Sequence, residues 1–215
     1  MKPANIKTEK NEDLHGNAPD SSPVALLIID MLNDLEFPGG DALLEPAMRI
    51  AETIAALKKR AKTAGIPVVY VNDNFGKWRS EVRDLIDHCL HDGVRGQRLV
   101  EQLKPDPDDY VVLKPKNSAF YATTLDALLT YLQAKRVILT GISTDSCVLF
   151  TANDAYMRDF SLHIPEDSVA SVSEEHTASA LDYMRRILQA DTTPSVRLDL
   201  KALKAEQEPE TAGKA

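Results

Sequence analysis

The 215-residue sequence contains two cysteines, Cys89 and Cys147. Two thiols cannot build a disulfide framework in a chain this size, and no CxxC or Cys/His spacing marks a zinc knuckle, so each thiol is read on its own. No apolar run approaches the roughly 18 residues that a membrane span needs. The stretch from Met1 to Ser22 mixes Lys2, Lys7 and Lys10 with Glu9, Glu12 and Asp13 and has no hydrophobic segment. It does not read as a secretory signal, and a cytoplasmic location is the expectation. Positive charge is also scarce: 25 Lys and Arg face 33 Asp and Glu, a formal net charge of −8. A nucleic-acid or anionic-membrane surface needs a concentrated basic face, so small molecules or proteins remain as partners. No internal repeat is evident.

What is present is ordinary soluble composition, 43% hydrophobic and 27% charged, in a length that suits one α/β domain. Polar tails at residues 1–22 and 204–215 frame a patterned domain at 23–203, and both tails read as mobile. Between them short β-branched runs alternate with stretches of helical period. That pattern predicts a single three-layer α/β/α domain around a six-stranded, mostly parallel, Rossmann-like open sheet.

The first strand, Val24 to Asp30, is apolar at every position until its terminal carboxylate, as expected of a strand buried on both faces. A helix from Glu45 to Ala64 ends at Gly65 in the C′ manner. Pro67 to Val71 is the second strand. The long connection that follows has an aromatic loop with Phe75 and Trp78, a helix near Glu81 to His91, and a turn near Leu99 to Leu103. Tyr110 to Lys114 is strand three, ending in a charge. Thr123 or Thr124 caps a helix through Tyr131, and Arg136 to Thr140 is strand four. Ser143, Thr144 and Asp145, all capping types, open a helix to about Arg158 with Cys147 in its first turn. Ser161 to Pro165, a helix from Glu174 to Gln189, and a sixth strand from Pro194 to Leu198 complete the pattern.

In an open parallel sheet ligands bind outside the carboxyl ends of the strands, near the point where strand order reverses. Asp30, Lys114 and Cys147 all fall on that edge, bringing a carboxylate, an ammonium and a thiol within reach of one another. A thiol in the first turn of a helix feels the positive end of the macrodipole and unpaired N–H groups, which favour thiolate and can also hold an oxyanion. Cys89 lies in an apolar stripe with Leu85, Ile86 and Leu90, and packing accounts for it. Phe75, Trp78 and Tyr121, on loops at the same edge, are expected to wall the substrate pocket.

Three motifs in order carry a resemblance: Leu26-Leu27-Ile28-Ile29-Asp30-Met31-x-Asn33-Asp34; Val112-Leu113-Lys114-Pro115-x-x-Ser118-Ala119-Phe120 with Thr124-x-Asp126-x-Leu128-Leu129; and Gly141-x-x-Thr144-x-x-Cys147-Val148. From Val24 to about Leu198 the chain resembles the isochorismatase-like cysteine hydrolases. The resemblance implies an Asp-Lys-Cys catalytic set at Asp30, Lys114 and Cys147. It also implies a cis peptide at Ile142-Ser143, with the N–H groups of Ser143 and Cys147 as the oxyanion hole, and a dimer or tetramer. The activity implied is hydrolysis of a small-molecule carbon–nitrogen bond, amide or ureido, through a thioester.

Nicotinamidases, which are similar in fold and catalytic set, carry a metal site with an Asp-x-His motif after strand two. Here Asn72-Asp73-Asn74-Phe75-Gly76 occupies that stretch, and no histidine occurs between strand two and His88. Asp73 alone is a poor site, and His88 and His91 lack a third ligand, so neither metal nor cofactor is expected. Two other readings stand beside amide hydrolysis: enol-ether hydrolysis as in isochorismatase, which does not require Cys147, and a non-catalytic α/β binding subunit, which requires none of the three residues.

Overall fold

The computed structural model describes residues 21–75 and 81–205. Strand β1, Val24–Ile29, is wholly buried. Its alternate residues face opposite ways: Val24, Leu26 and Ile28 join one apolar cluster, whereas Ala25, Leu27 and Ile29 join the other. That two-sided burial is why the strand has no polar position until its end. Helix α1 (Gly40–Thr63) leads to β2 (Val68–Asp73), α2 (Val82–His91), α3 (Gln97–Leu103) and β3 (Tyr110–Lys114). Helix α4 (Leu125–Leu132) and β4 (Arg136–Ile142) follow, then a π turn (Thr144–Val148) running into α5 (Leu149–Tyr156). Next come β5 (Ser161–His163), β6 (Val169–Ala170), α6 (Glu174–Ile187), a 3₁₀ turn (Ser195–Arg197) and α7 (Leu200–Ala205).

The strand order is β3-β2-β1-β4-β5, with β6 paired to the last residues of β4, Gly141 and Ile142. Every pairing is parallel. Residues of α1, α2, α3 and α7 pack in the first apolar cluster, and those of α4, α5 and α6 in the second, giving three layers. The chain leaves β1 outward through β2 and β3, then crosses back to place β4 on the other side of β1. The reversal therefore lies between β1 and β4, with Asp30 at the end of one strand and the π turn at the end of the other. The two strands meet closely there. Gly141 has φ +110, and a Cβ at this position would stand 2.0 Å from the Ile29 carbonyl oxygen, so only glycine fits.

The expected strand from Pro194 to Leu198 is not a strand. Its polar backbone is taken by side chains: Asp167 accepts from Ser195 N at 2.8 Å, and Arg60 donates to the carbonyls of Ser195 and Leu198 at 2.7 and 2.6 Å. The sixth strand is instead the two-residue β6. Among the described residues after α6, the chain reaches the sheet at Asp191, as an isolated bridge to His163. At the other end of the domain, Ser22 is buried and its N–H donates to Leu132 O at 2.8 Å, tying the segment before β1 to α4.

Candidate active site

Asp30 follows β1 directly, in the left-handed region at φ 53, a conformation Asp tolerates better than most residues. Its carboxylate is 5% exposed and accepts from the Asp73 N–H at 2.7 Å. Lys114, the last residue of β3, is fully buried. Its stem spans two strands, placing Nζ 2.9 Å from Asp30 Oδ2, 3.4 Å from Cys147 Sγ and 3.7 Å from Asp73 Oδ2. Cys147 is half-buried in the π turn. Asp30, Lys114 and Cys147 are therefore in mutual contact.

Burial pushes the Asp30 carboxyl above its ordinary range, against the pull of the Lys114 charge and the bonds from Cys147 and Lys114. Burial alone would lower Lys114, but Asp30, Cys147 and Asp73 hold it above its usual value. The Cys147 thiol is pushed up to about 12, by burial first and then by the Asp30 charge, with Lys114 opposing. The expectation of a resting thiolate is thereby corrected. A helix terminus stabilises a thiolate only where nothing negative lies nearer, and here a carboxylate is hydrogen-bonded to the sulfur. Asp30 and Cys147 are thus coupled groups beside the Lys114 ammonium.

The turn that carries Cys147 is held from two sides. The Ile142-Ser143 peptide is cis. Val148 N donates to Ser143 O at 3.1 Å, closing the wide π turn, a feature frequent at functional sites. The continuous α-helix expected from Ser143 to Arg158 is therefore split, and Ser143, at the cap position, makes no side-chain capping bond. On the β3 side, Asn117 donates to Ser146 Oγ at 2.7 Å, Ser118 donates to Asp154, and Thr151 Oγ1 links the Ala119 N–H to the Cys147 carbonyl at 3.0 and 2.7 Å.

A cavity of about 240 Å³ opens beside Asp73, lined also by Phe75, Leu85, Leu113, Asp34 and His88. Phe75 lines this cavity. Tyr121 is 59% exposed and does not line this cavity. Trp78 lies outside the described residues. Asp73 was missed as part of the charge cluster. It ends β2 as Asp30 and Lys114 follow or end their strands, so the strand-end rule that selected them also selects it.

A metal does not fit the Asp73 side. Asp73 accepts from Phe75 N at 2.6 Å and faces the Lys114 ammonium, so a cation there would sit against a positive charge. His88 is bonded to Asp92 at 2.7 Å and Asp34 at 3.3 Å. Among the described residues the grouping of three potential ligands, Asp106, Asp108 and Asp109, is instead tied to Lys62 at 2.7, 2.6 and 3.1 Å. No step below passes through a metal.

Residues 24–194 match the model of the isochorismatase domain. The uncharacterized isochorismatase family protein YaaI of Bacillus subtilis is 42% identical over 169 residues, 79% of this chain and 92% of that protein. Among solved structures, N-carbamoylsarcosine amidase from Thermoplasma acidophilum is similar at TM-score 0.64 and 28% identity, over 82% of this chain and 98% of that one. Nicotinamidase/pyrazinamidase PncA from Bacillus subtilis is similar at TM-score 0.62 and 30% identity, over 79% and 98%. The chain belongs to the isochorismatase family of hydrolases, in a three-layer α/β/α fold.

Proposed function

We propose that the protein is a cysteine hydrolase that cleaves the carbon–nitrogen bond of a small amide or ureido compound through a thioester on Cys147. The observation that carries this reading is the single ammonium of Lys114, 2.9 Å from the Asp30 carboxylate and 3.4 Å from the Cys147 sulfur. In the resting pair the proton sits on sulfur. As Cys147 attacks the carbonyl carbon, that proton passes to Asp30, and the N–H groups of Ser143 and Cys147 receive the developing oxyanion. Asp30 then gives the proton to the departing nitrogen as the carbon–nitrogen bond breaks. Next it takes a proton from the water that attacks the thioester, and returns it to sulfur as the acid leaves. Lys114 stays charged throughout and balances the single negative charge, which lies on Asp30 at rest and on the oxyanion after attack.

Amide hydrolysis is favoured over enol-ether hydrolysis because a thiol placed against a carboxylate base has no task in the latter. The likeness to an N-carbamoylsarcosine amidase and a nicotinamidase supports the same choice. The test is ammonia release from a panel of nicotinamide, N-carbamoylsarcosine, aliphatic primary amides and other N-carbamoyl acids. At least one should be turned over by the wild type and none by Cys147→Ala, with the variant's fold intact. Turnover retained in Cys147→Ala contradicts the proposal.

A further inference from the structure

One carboxylate bridges the nucleophile turn to the neighbouring strand, and the mechanism above leaves it unused. β6 pairs with the end of β4 in the register Gly141↔Val169 and Ile142↔Ala170. The next residues outward, Ser143 and Ser171, consequently stand side by side, their hydroxyls 3.3 Å apart. Both converge on Asp145. Its Oδ1 accepts from Ser143 Oγ and from Ser171 Oγ at 2.6 Å, and its backbone N–H donates to Ser171 Oγ at 3.2 Å. His176 Nδ1 faces the other carboxylate oxygen at 3.2 Å. Ser171 is 1% exposed, and its own N–H donates at 2.9 Å to Thr177 Oγ1 on α6. Burial would push Asp145 up, but the two serine hydroxyls hold it below the usual carboxylate range, so it accepts as an anion at neutral pH.

We infer that Asp145 and Ser171 are positioning residues that lock the Ser143 backbone, and with it the oxyanion donors of Ser143 and Cys147, against the end of β6. The inference rests on the cysteine-hydrolase reading. Oxyanion donors work by being fixed before charge develops, and a displacement of about 1 Å costs roughly 100-fold. The hydroxyl that Asp145 holds and the N–H aimed at the oxyanion belong to one residue, so fixing the first limits rotation of the second.

The test uses the full chain as Ser143→Ala, Ser143→Thr, Asp145→Asn and Ser171→Ala, with whichever panel amide the wild type turns over fastest. Cys147 alkylation by iodoacetamide is measured in parallel. That displacement occurs at saturated carbon and develops no carbonyl oxyanion. Ser143→Ala, Asp145→Asn and Ser171→Ala should lower kcat about 10- to 100-fold with KM changed less than about threefold. Alkylation should stay within about twofold of wild type, and Ser143→Thr should recover most of the rate. Should Asp145→Asn fail to fold, the two serine variants carry the test. Wild-type kcat in the folded variants, or kcat and alkylation falling together, overturns the inference alone. A wild type that releases no ammonia from any amide and forms no Cys147 adduct overturns the cysteine-hydrolase reading and this inference with it.

Discussion

Lys114 is fully buried yet charged, because three anionic or polarisable partners, Asp30, Asp73 and the Cys147 sulfur, surround its ammonium. Removing any one of them redistributes charge among the rest, which gives residue-scale expectations of definite sign. Asp30→Asn deletes the second of the two influences that raise Cys147 and leaves burial alone to oppose Lys114. Alkylation of Cys147 at pH 8 should therefore speed up, while turnover falls about 100- to 10,000-fold for loss of the base. Faster alkylation with unchanged turnover would remove Asp30 from catalysis. Lys114→Met removes the charge that lowers both partners. Alkylation should slow, and the acid limb of the pH–rate profile, which requires ionised Asp30, should move to higher pH. Cys89 is fully buried and pushed up to about 12 by burial and by Asp34, so it should label later than Cys147 in every variant. Dialysis against a chelator should leave the rate unchanged, since Asp73 already faces an ammonium. Activity lost on chelation and restored by one metal would contradict that reading. That Asp30, Lys114 and Cys147 meet at one edge of the sheet was legible in the sequence because strand ends are readable from pattern alone. The direction of the Cys147 shift was not, because it depends on burial of the thiol and then on the contact to Asp30 across a strand boundary.

At the scale of elements, the site depends on how closely β1 and β4 approach at the reversal of strand order. Gly141 makes that approach possible, with the Ile29 carbonyl 2.0 Å from where a Cβ would be. Gly141→Ala adds both a clash and a disfavoured positive φ, and should cost at least about 2 kcal/mol in chemical denaturation. Activity should fall with it, because Asp30 and the π turn hang from the two separated strands. A variant of wild-type stability would mean that the strands part easily. The helix expected from Ser143 had the right start but the wrong internal geometry. Two of its three capping residues are spent elsewhere: Asp145 binds two serine hydroxyls, and Ser143 donates instead of accepting from the helix, while the buried Thr144 hydroxyl makes no hydrogen bond among the described residues. A sequence shows that such residues can cap, and the partner that claims them, Ser171, lies 26 residues on. The sixth strand failed for a similar reason. Val169–Ala170 is too short to show a period, whereas Ser195-Val196-Arg197-Leu198 shows one but has its backbone occupied by Asp167 and Arg60.

For the molecule as a whole, the parallel sheet and its two helical layers follow from local periodicity and parallel connections, which is why the architecture was readable while individual boundaries moved by a few residues. Among the described residues no helix is long and apolar enough to cross a membrane. Several carboxylates bind ion or hydroxyl partners and are held low: Asp106 and Asp108 by Lys62, and Asp145 and Asp191 by hydroxyl and backbone donors that outweigh burial. A depressed folded pKa contributes stability above the unfolded value of 3.8, and that contribution is lost as pH falls through the folded value. Thermal midpoints should hold between pH 5 and 7 and decline as pH drops below about 4. A midpoint that rises on acidification would show that buried Asp30, whose shift has the opposite sign, dominates. The central claim concerns a covalent bond, and mass spectrometry of acid-quenched enzyme during turnover of a panel amide tests it most directly. The expected result is a Cys147 peptide heavier by the acyl group, absent in Cys147→Ala and accumulating in Asp30→Asn if acylation is slowed less than thioester hydrolysis. Steady ammonia release with Cys147 unmodified, and equal turnover in Cys147→Ala, would contradict it.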